Sequence, residues 1–285
     1  MKKFFVAATI LFFIGAGCSS AKPLDTTKPT VVTPIIPLTV VAENLLGDKA
    51  NVQSILPPGA EPHEVTLSPR ELVILSHADI ILVWGMGLDT WAVRGAQAAA
   101  PNAKIISVAD LLGMTDKDNP HVWLSPKKMI GITQKLSEAL AIAFPQNAQA
   151  IQANSATYQN TLTELDSQFK TLAELPHHNI VTLHDAFEYL AADYGLHISG
   201  TVQQLPEDTP TPQAVAAVEK VLNNLGGDAA LLGESGMSQS LAAAIAADTH
   251  HVVYTVNTLE VGTAEPTAYQ TVMQTNLSVL QSALK

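Results

Sequence analysis

The stretch NAQAIQANSATYQNTLTELDSQFKTLAEL, residues 147–175, decides how the rest of the chain is read. Ile151, Tyr158, Leu162, Leu165, Phe169 and Leu172 recur mostly at three- and four-residue steps, which places them on one face of a single amphipathic helix. At 1.5 Å per residue such a helix spans roughly 40 Å, about the width of a domain. Its simplest role is a rigid connector laid along two halves of the molecule.

Strands and helices alternate on both sides of it. Before it, Thr30–Ile35, Asn51–Leu56, Ile80–Trp84 and Lys104–Val108 are short apolar or β-branched runs, as buried parallel strands tend to be. Helices are expected at Thr39–Leu46, from Ser68 onward and at Pro126–Phe144. Ser68-Pro69-Arg70-Glu71 supplies an N-cap, a proline in the first turn and an acid at the third position. After the connector, strands are expected at Asn179–Leu183, Ile198–Val202, Ala229–Leu232 and Val252–Val256. Helices follow at Ala186–Tyr194, Pro212–Leu225, Ser238–Ala247 and Pro266–Leu284. The expected fold class is α/β, with two similar β/α lobes joined by one long backbone helix and a cleft between them. The N-terminal lobe takes residues 29–145, the linker helix 146–176 and the C-terminal lobe 177–285.

The N-terminus is a processing segment. Lys2 and Lys3 precede thirteen apolar residues, Phe4 to Ala16, too few for a membrane-spanning helix but right for a signal peptide. Ile14-Gly15-Ala16-Gly17-Cys18 then reads as a bacterial lipobox, although Gly15 stands where a branched aliphatic residue is usual. Residues 1–17 are therefore expected to be removed. Cys18, the only cysteine, becomes the lipidation site, and 18–28 form a lipidated tether. This places the protein outside the cytoplasm, lipid-anchored to a bacterial membrane, in the periplasm or on the cell surface. Loss of Lys2 and Lys3 leaves 13 basic against 26 acidic residues, a formal charge of −13. No basic patch is present, so nucleic acid is excluded as a partner.

The nine histidines sort by this layout. His63, His121 and His184 fall after strands or in the loops that leave them, the rim at which open α/β sheets bind ligands. Imidazole is the commonest side-chain ligand for transition metals. His177, His178, His250 and His251 precede strands, His77 lies between a helix and a strand, and His197 begins a strand. Those six are expected to play surface or capping roles.

Gly59-Ala60-Glu61-Pro62-His63, Asn119-Pro120-His121-Val122-Trp123-Leu124-Ser125-Pro126 and Leu183-His184-Asp185-Ala186-Phe187 carry a family resemblance. Ala78-Asp79, Gly85-Met86-Gly87-Leu88-Asp89-Thr90-Trp91 and Glu207-Asp208-Thr209-Pro210-Thr211-Pro212 extend it over nearly the whole mature chain. The sequence resembles the metal-binding lipoproteins of bacterial zinc and manganese ABC importers. The resemblance implies two α/β lobes on one long helix, with His63 and His121 from the first lobe and His184 from the second as metal ligands. It also implies a fourth ligand after the last strand, usually an aspartate in an Asp-x-Leu setting, where this chain has Asn257-Thr258-Leu259.

Three imidazoles and a neutral amide leave a divalent charge uncompensated. The expected remedies are the carbonyl oxygen of Asn257, a water or hydroxide, or Glu234 of Gly233-Glu234-Ser235, with Glu61 and Glu64 as lesser candidates. Imidazole favours Zn2+ over the harder Mn2+, so zinc is the expected ion and manganese the alternative. The short segment Gly113–Asp118 lacks the histidines that many zinc-type relatives carry there. The implied function is capture of zinc by a monomeric binding lipoprotein and delivery to a membrane permease driven by a cytoplasmic ATPase. Two alternatives stand beside it. One is a surface adhesin on the same scaffold. The other is a zinc hydrolase using three histidines and an open position; against that, there is no His-Glu-x-x-His helix.

Overall fold

In the computed structural model the described residues are 25–57, 59–206, 208–236 and 239–285. The expected signal peptide, Cys18, most of the tether, Glu207 and the helix start at Ser238 lie outside them. Among the described residues no helix is long and apolar enough to cross a membrane.

The first sheet contains β1 (Thr30–Thr33), β2 (Asn51–Ser54), β3 (Ile80–Val83) and β4 (Lys104–Ser107), in the order β2-β1-β3-β4 and parallel throughout. Its helices are α1 (Ile36–Leu46), α2 (Pro69–Ser76), α3 (Thr90–Ala99), α4 (Val108–Leu112) and α5 (Pro126–Ala143). The capping box read in the sequence forms at α2: Ser68 N–H donates to the Glu71 carboxylate at 2.8 Å and Ser68 Oγ accepts from Arg70 N–H at 3.2 Å.

Helix α6 (Ala148–Phe169) leads to the second sheet, which repeats the first. Strands β5 (Asn179–Thr182), β6 (His197–Thr201), β7 (Ala229–Glu234) and β8 (Val253–Val256) are parallel in the order β6-β5-β7-β8. Helices α7 (Glu188–Tyr194), α8 (Pro212–Leu225), α9 (Gln239–Thr249) and α10 (Ala268–Ala283) complete it. In each sheet the order reverses direction beside the first strand, which opens a crevice at the strands' carboxyl ends.

The long helix is shorter than expected. It closes as α-helix at Phe169 and tightens into a 3-10 turn over Lys170–Glu174. Leu175 precedes Pro176 and is extended, with ψ 157°, as a following proline requires. Ile151, Leu162 and Leu165 of α6 nevertheless sit in one continuous core with Leu38 and Leu45 of α1, Leu136 and Leu140 of α5, and Met273 and Leu280 of α10. The two lobes are therefore not independent bodies on a flexible joint; apolar packing along α6 makes them share a core.

The lobes also meet at α1. Asn44 donates its amide to the Pro266 carbonyl at 2.8 Å. Beside it, burial, reinforced by the charge of Glu265, pushes the Glu43 carboxyl up to about 7, and its Oε2 is buried without a hydrogen-bond partner. Between its ordinary 4.5 and about 7 the folded protein holds a proton that the unfolded chain releases, so stability falls as pH rises through that window. Glu43→Gln is expected to raise the melting temperature at about pH 8 and to do so much less at about pH 5. Equal shifts at both pH values would show that Glu43 carries no such penalty.

Candidate metal centre

Both crevices supply side chains to one point. His63 lies in the loop from β2 to α2, and His121 opens a 3-10 turn, His121–Leu124, between α4 and α5. From the second lobe, His184 stands just past β5 and Glu260 in the loop after β8. All three tryptophans of the chain fasten these loops. Trp91 Nε1–H donates to the Pro62 carbonyl at 2.9 Å, and Trp84 Nε1–H to the Pro120 carbonyl at 2.7 Å. Trp123 Nε1–H donates across the lobes to the Thr258 carbonyl at 2.7 Å. Each bond falls one or two residues before a side chain of the cluster.

Among the described residues two groups stand close enough to share an ion, His63–His121–Glu260 and His184–Glu234–Glu260, with Glu260 in both. Glu260 Oε1 is 3.1 Å from Nε2 of His63 and 3.1 Å from Nε2 of His121. His184 Nε2 is 3.4 Å from His121 Nε2 and 3.7 Å from Glu260 Oε2. Two donors at about 2.0–2.1 Å on a tetrahedral zinc ion stand about 3.3 Å apart, so these separations are close to the edges of such a polyhedron. His121, His184 and Glu260 are buried, and His63 keeps only a small exposed edge. A cavity of about 540 Å³ reaches His63 and His121, with Asp118, Asp185 and Glu188 in its wall. A larger one, about 830 Å³, touches Glu61 and Glu64 and has no histidine in its lining.

The outer bonds orient the rings. His121 Nδ1 faces Asn119 Oδ1 at 2.8 Å, which leaves Nε2 for an ion. Glu234 contacts His184 Nδ1 and also accepts the His184 backbone N–H at 3.2 Å. Burial holds the His121 pKa below its usual value. For His184 burial works the same way, but the hydrogen bond and charge of Glu234, with Glu260 and Glu61, outweigh it and raise the pKa. Burial works to raise Glu260, yet hydrogen bonds from His121 and His63 hold its carboxyl well below the usual range. The arrangement offers three imidazole nitrogens and one carboxylate from two lobes, a donor set suited to zinc and related borderline metals.

The expected fourth position is corrected. Asn257 is tied into its own turn: its Oδ1 accepts Leu259 N–H at 2.7 Å, and Asn276 binds its backbone N–H at 2.8 Å and its carbonyl at 2.7 Å. That side chain builds the turn, and the carboxylate arrives three residues later as Glu260. Leu259 between them has φ 63°, an unusual left-handed conformation for a leucine, which swings the chain so that Glu260 enters the cleft. Glu234 is also placed differently. β7 runs through it, paired to Val256, so it reaches His184 from the end of a strand and not from a loop, and it belongs to one of the two groups that could share an ion. Glu64 is exposed, and burial with the charge of Glu260 pushes Glu61 up to about 7. The other six histidines join neither group.

A family model described as zinc-uptake complex component A, periplasmic (ZnuA), matches residues 31–283. The chain belongs to this family. It is 26% identical to the zinc-binding lipoprotein AdcA of Streptococcus pneumoniae over 306 aligned residues, covering 99% of this chain and 61% of that protein. The chain spans between about half and three-fifths of the length of the curated relatives it matches. The Zn(II)-bound ZnuA-like domain of the same S. pneumoniae AdcA superposes with TM-score 0.75 at 27% identity, over 90% of this chain and 99% of that one. The SBP FpvC of Pseudomonas aeruginosa, in complex with Ni2+, superposes with TM-score 0.81 at 22% identity, over 90% of this chain and 97% of that one; this likeness concerns the fold.

Glu260→Gln and Glu234→Gln are expected to separate the two carboxylates. The first removes the carboxylate common to both groups and should weaken zinc binding at least a hundredfold; the second should cost about 10–100-fold, as loss of a partner behind a histidine ligand does. Competition against a chromophoric chelator measures both. A larger loss in Glu234→Gln than in Glu260→Gln would reverse the assignment.

Proposed function

We propose that this protein is the extracytoplasmic binding component of an ABC importer, which captures Zn2+ and presents it to a membrane permease driven by a cytoplasmic ATPase. The observation that carries this reading is the convergence of His63, His121, His184 and Glu260 from both lobes at separations that suit a single tetrahedral ion. Zinc is the cargo, held by three imidazole Nε2 atoms and one Glu260 oxygen.

The choice of zinc follows from chemistry and charge. Manganese prefers a shell of hard oxygen donors, and this shell is three-quarters nitrogen. One carboxylate in the shell and Glu234 behind His184 offset the two positive charges, which makes burial of the ion tolerable. The zinc-binding names of AdcA and of the family agree with this reading. An acylated Cys18 would keep a monomeric carrier beside its permease, and two or more acyl chains suffice for stable attachment. The scaffold supplies ligands at a site shared by two lobes, as transport of a captured ion requires, and the family is described as an uptake component, which speaks against a hydrolase.

The test is elemental analysis of metal-stripped protein after equilibration with equal, limiting Zn2+ and Mn2+. About one zinc per chain and negligible manganese is expected, with His63→Ala, His121→Ala and His184→Ala each losing the zinc. Preference for manganese, or uptake of neither ion, would contradict the reading.

A further inference from the structure

Asn119, two residues before His121, uses both ends of its side chain. Its Oδ1 accepts the His121 backbone N–H at 3.0 Å and faces His121 Nδ1 at 2.8 Å. Its Nδ2 donates to the Asp185 carbonyl at 2.6 Å, which belongs to the other lobe and directly follows His184. The Asn119 carbonyl in turn accepts the Tyr189 hydroxyl of α7 at 3.0 Å. One residue thus touches a candidate ligand of the first lobe and the chain next to a candidate ligand of the second.

The hydrogen-bond inventory links these contacts. A neutral imidazole has one N–H. An ion on His121 Nε2 requires that N–H on Nδ1, where Asn119 Oδ1 receives it. If Nε2 instead carries the hydrogen and donates to Glu260 Oε1, 3.1 Å away, a bare Nδ1 faces Oδ1 and two acceptors are in contact. The amide relieves that contact only by turning over. Turned over, it directs Oδ1 at the Asp185 carbonyl and loses both the cross-lobe bond and the bond from the His121 backbone. The orientation in the structure receives an Nδ1–H and so suits an ion on Nε2.

We propose that Asn119 is a positioning residue that couples metal occupancy of His121 to the cross-lobe contact beside His184, its amide holding the Nδ1–H tautomer at one end and the Asp185 carbonyl at the other. The proposal rests on the metal-binding reading above. Coupling of this kind is reciprocal: a filled site favours the cross-lobe bond, and the cross-lobe bond favours the filled site.

Two variants divide the roles. Asn119→Ala removes both ends and is expected to weaken zinc binding about 10–100-fold. Asn119→Asp keeps an oxygen for His121 but has no donor for Asp185, so it should recover most of that affinity. Amide hydrogen exchange, read by mass spectrometry with and without Zn2+, reports the second lobe. In the wild type, zinc should slow exchange across residues 183–189; in Asn119→Asp it should bind and slow exchange there distinctly less. Zinc-dependent slowing in Asn119→Asp equal to wild type would overturn the coupling, as would an Asn119→Asp affinity as low as that of Asn119→Ala. Wild-type protein that takes up no zinc would instead overturn the metal-binding reading, and the coupling with it.

Discussion

Three indole N–H bonds hold the candidate site together before any ion is considered. Imidazole nitrogens and a carboxylate crowded within 3.1–3.7 Å are not a self-assembling group; each would prefer water to its neighbours. Trp91, Trp84 and Trp123 are buried, and each takes hold of the backbone one or two residues before His63, His121 or Glu260. The apolar body of each ring anchors it in a core, and its single polar atom positions a loop. Trp84 and Trp123 also pack edge to face, with centroids 5.3 Å apart, so the loops of His121 and Glu260 are set relative to each other through their tryptophans. Preorganisation of this kind lowers the cost of assembling four ligands from four separate loops.

The same bonds bear on what the lobes can do. Trp123 reaches Thr258, Tyr269 donates its hydroxyl to the Trp123 carbonyl at 2.7 Å, and Ser125 donates to Asp193 at 2.7 Å, all between lobes. With the core shared along α6, the segment from Asn119 to Lys127 is fixed to both halves. His63, by contrast, belongs to a loop whose bond to Trp91 stays within its own lobe. Three of the four candidate donors thus sit on segments bonded across the lobes, whereas the loop of His63 is held from within its own lobe.

Much of the fold was legible because it follows from period and punctuation. Short apolar runs between helices mark parallel strands, and the Ser68 capping box and the Pro212 start of α8 appear where their residues place them. The three histidines were legible for the same reason: a position after a strand in a parallel sheet is a position in the crevice. The fourth donor was not. An Asp-x-Leu frame directs attention to residue 257, but Asn257 spends its side chain on the Leu259 N–H and the left-handed leucine carries the chain on to Glu260. A backbone conformation that leucine rarely adopts leaves no mark in residue type. Glu234 was legible as a member of the cluster but not as a strand residue. Gly233 reads as a strand end, yet β7 continues through it.

The most direct examination of the site is zinc K-edge X-ray absorption on the zinc-loaded protein. Three imidazole nitrogens and one oxygen at about 2.0–2.1 Å in a four-coordinate shell are expected. A shell with fewer than three imidazoles, or a six-coordinate shell dominated by oxygen, would contradict a centre made of His63, His121, His184 and Glu260.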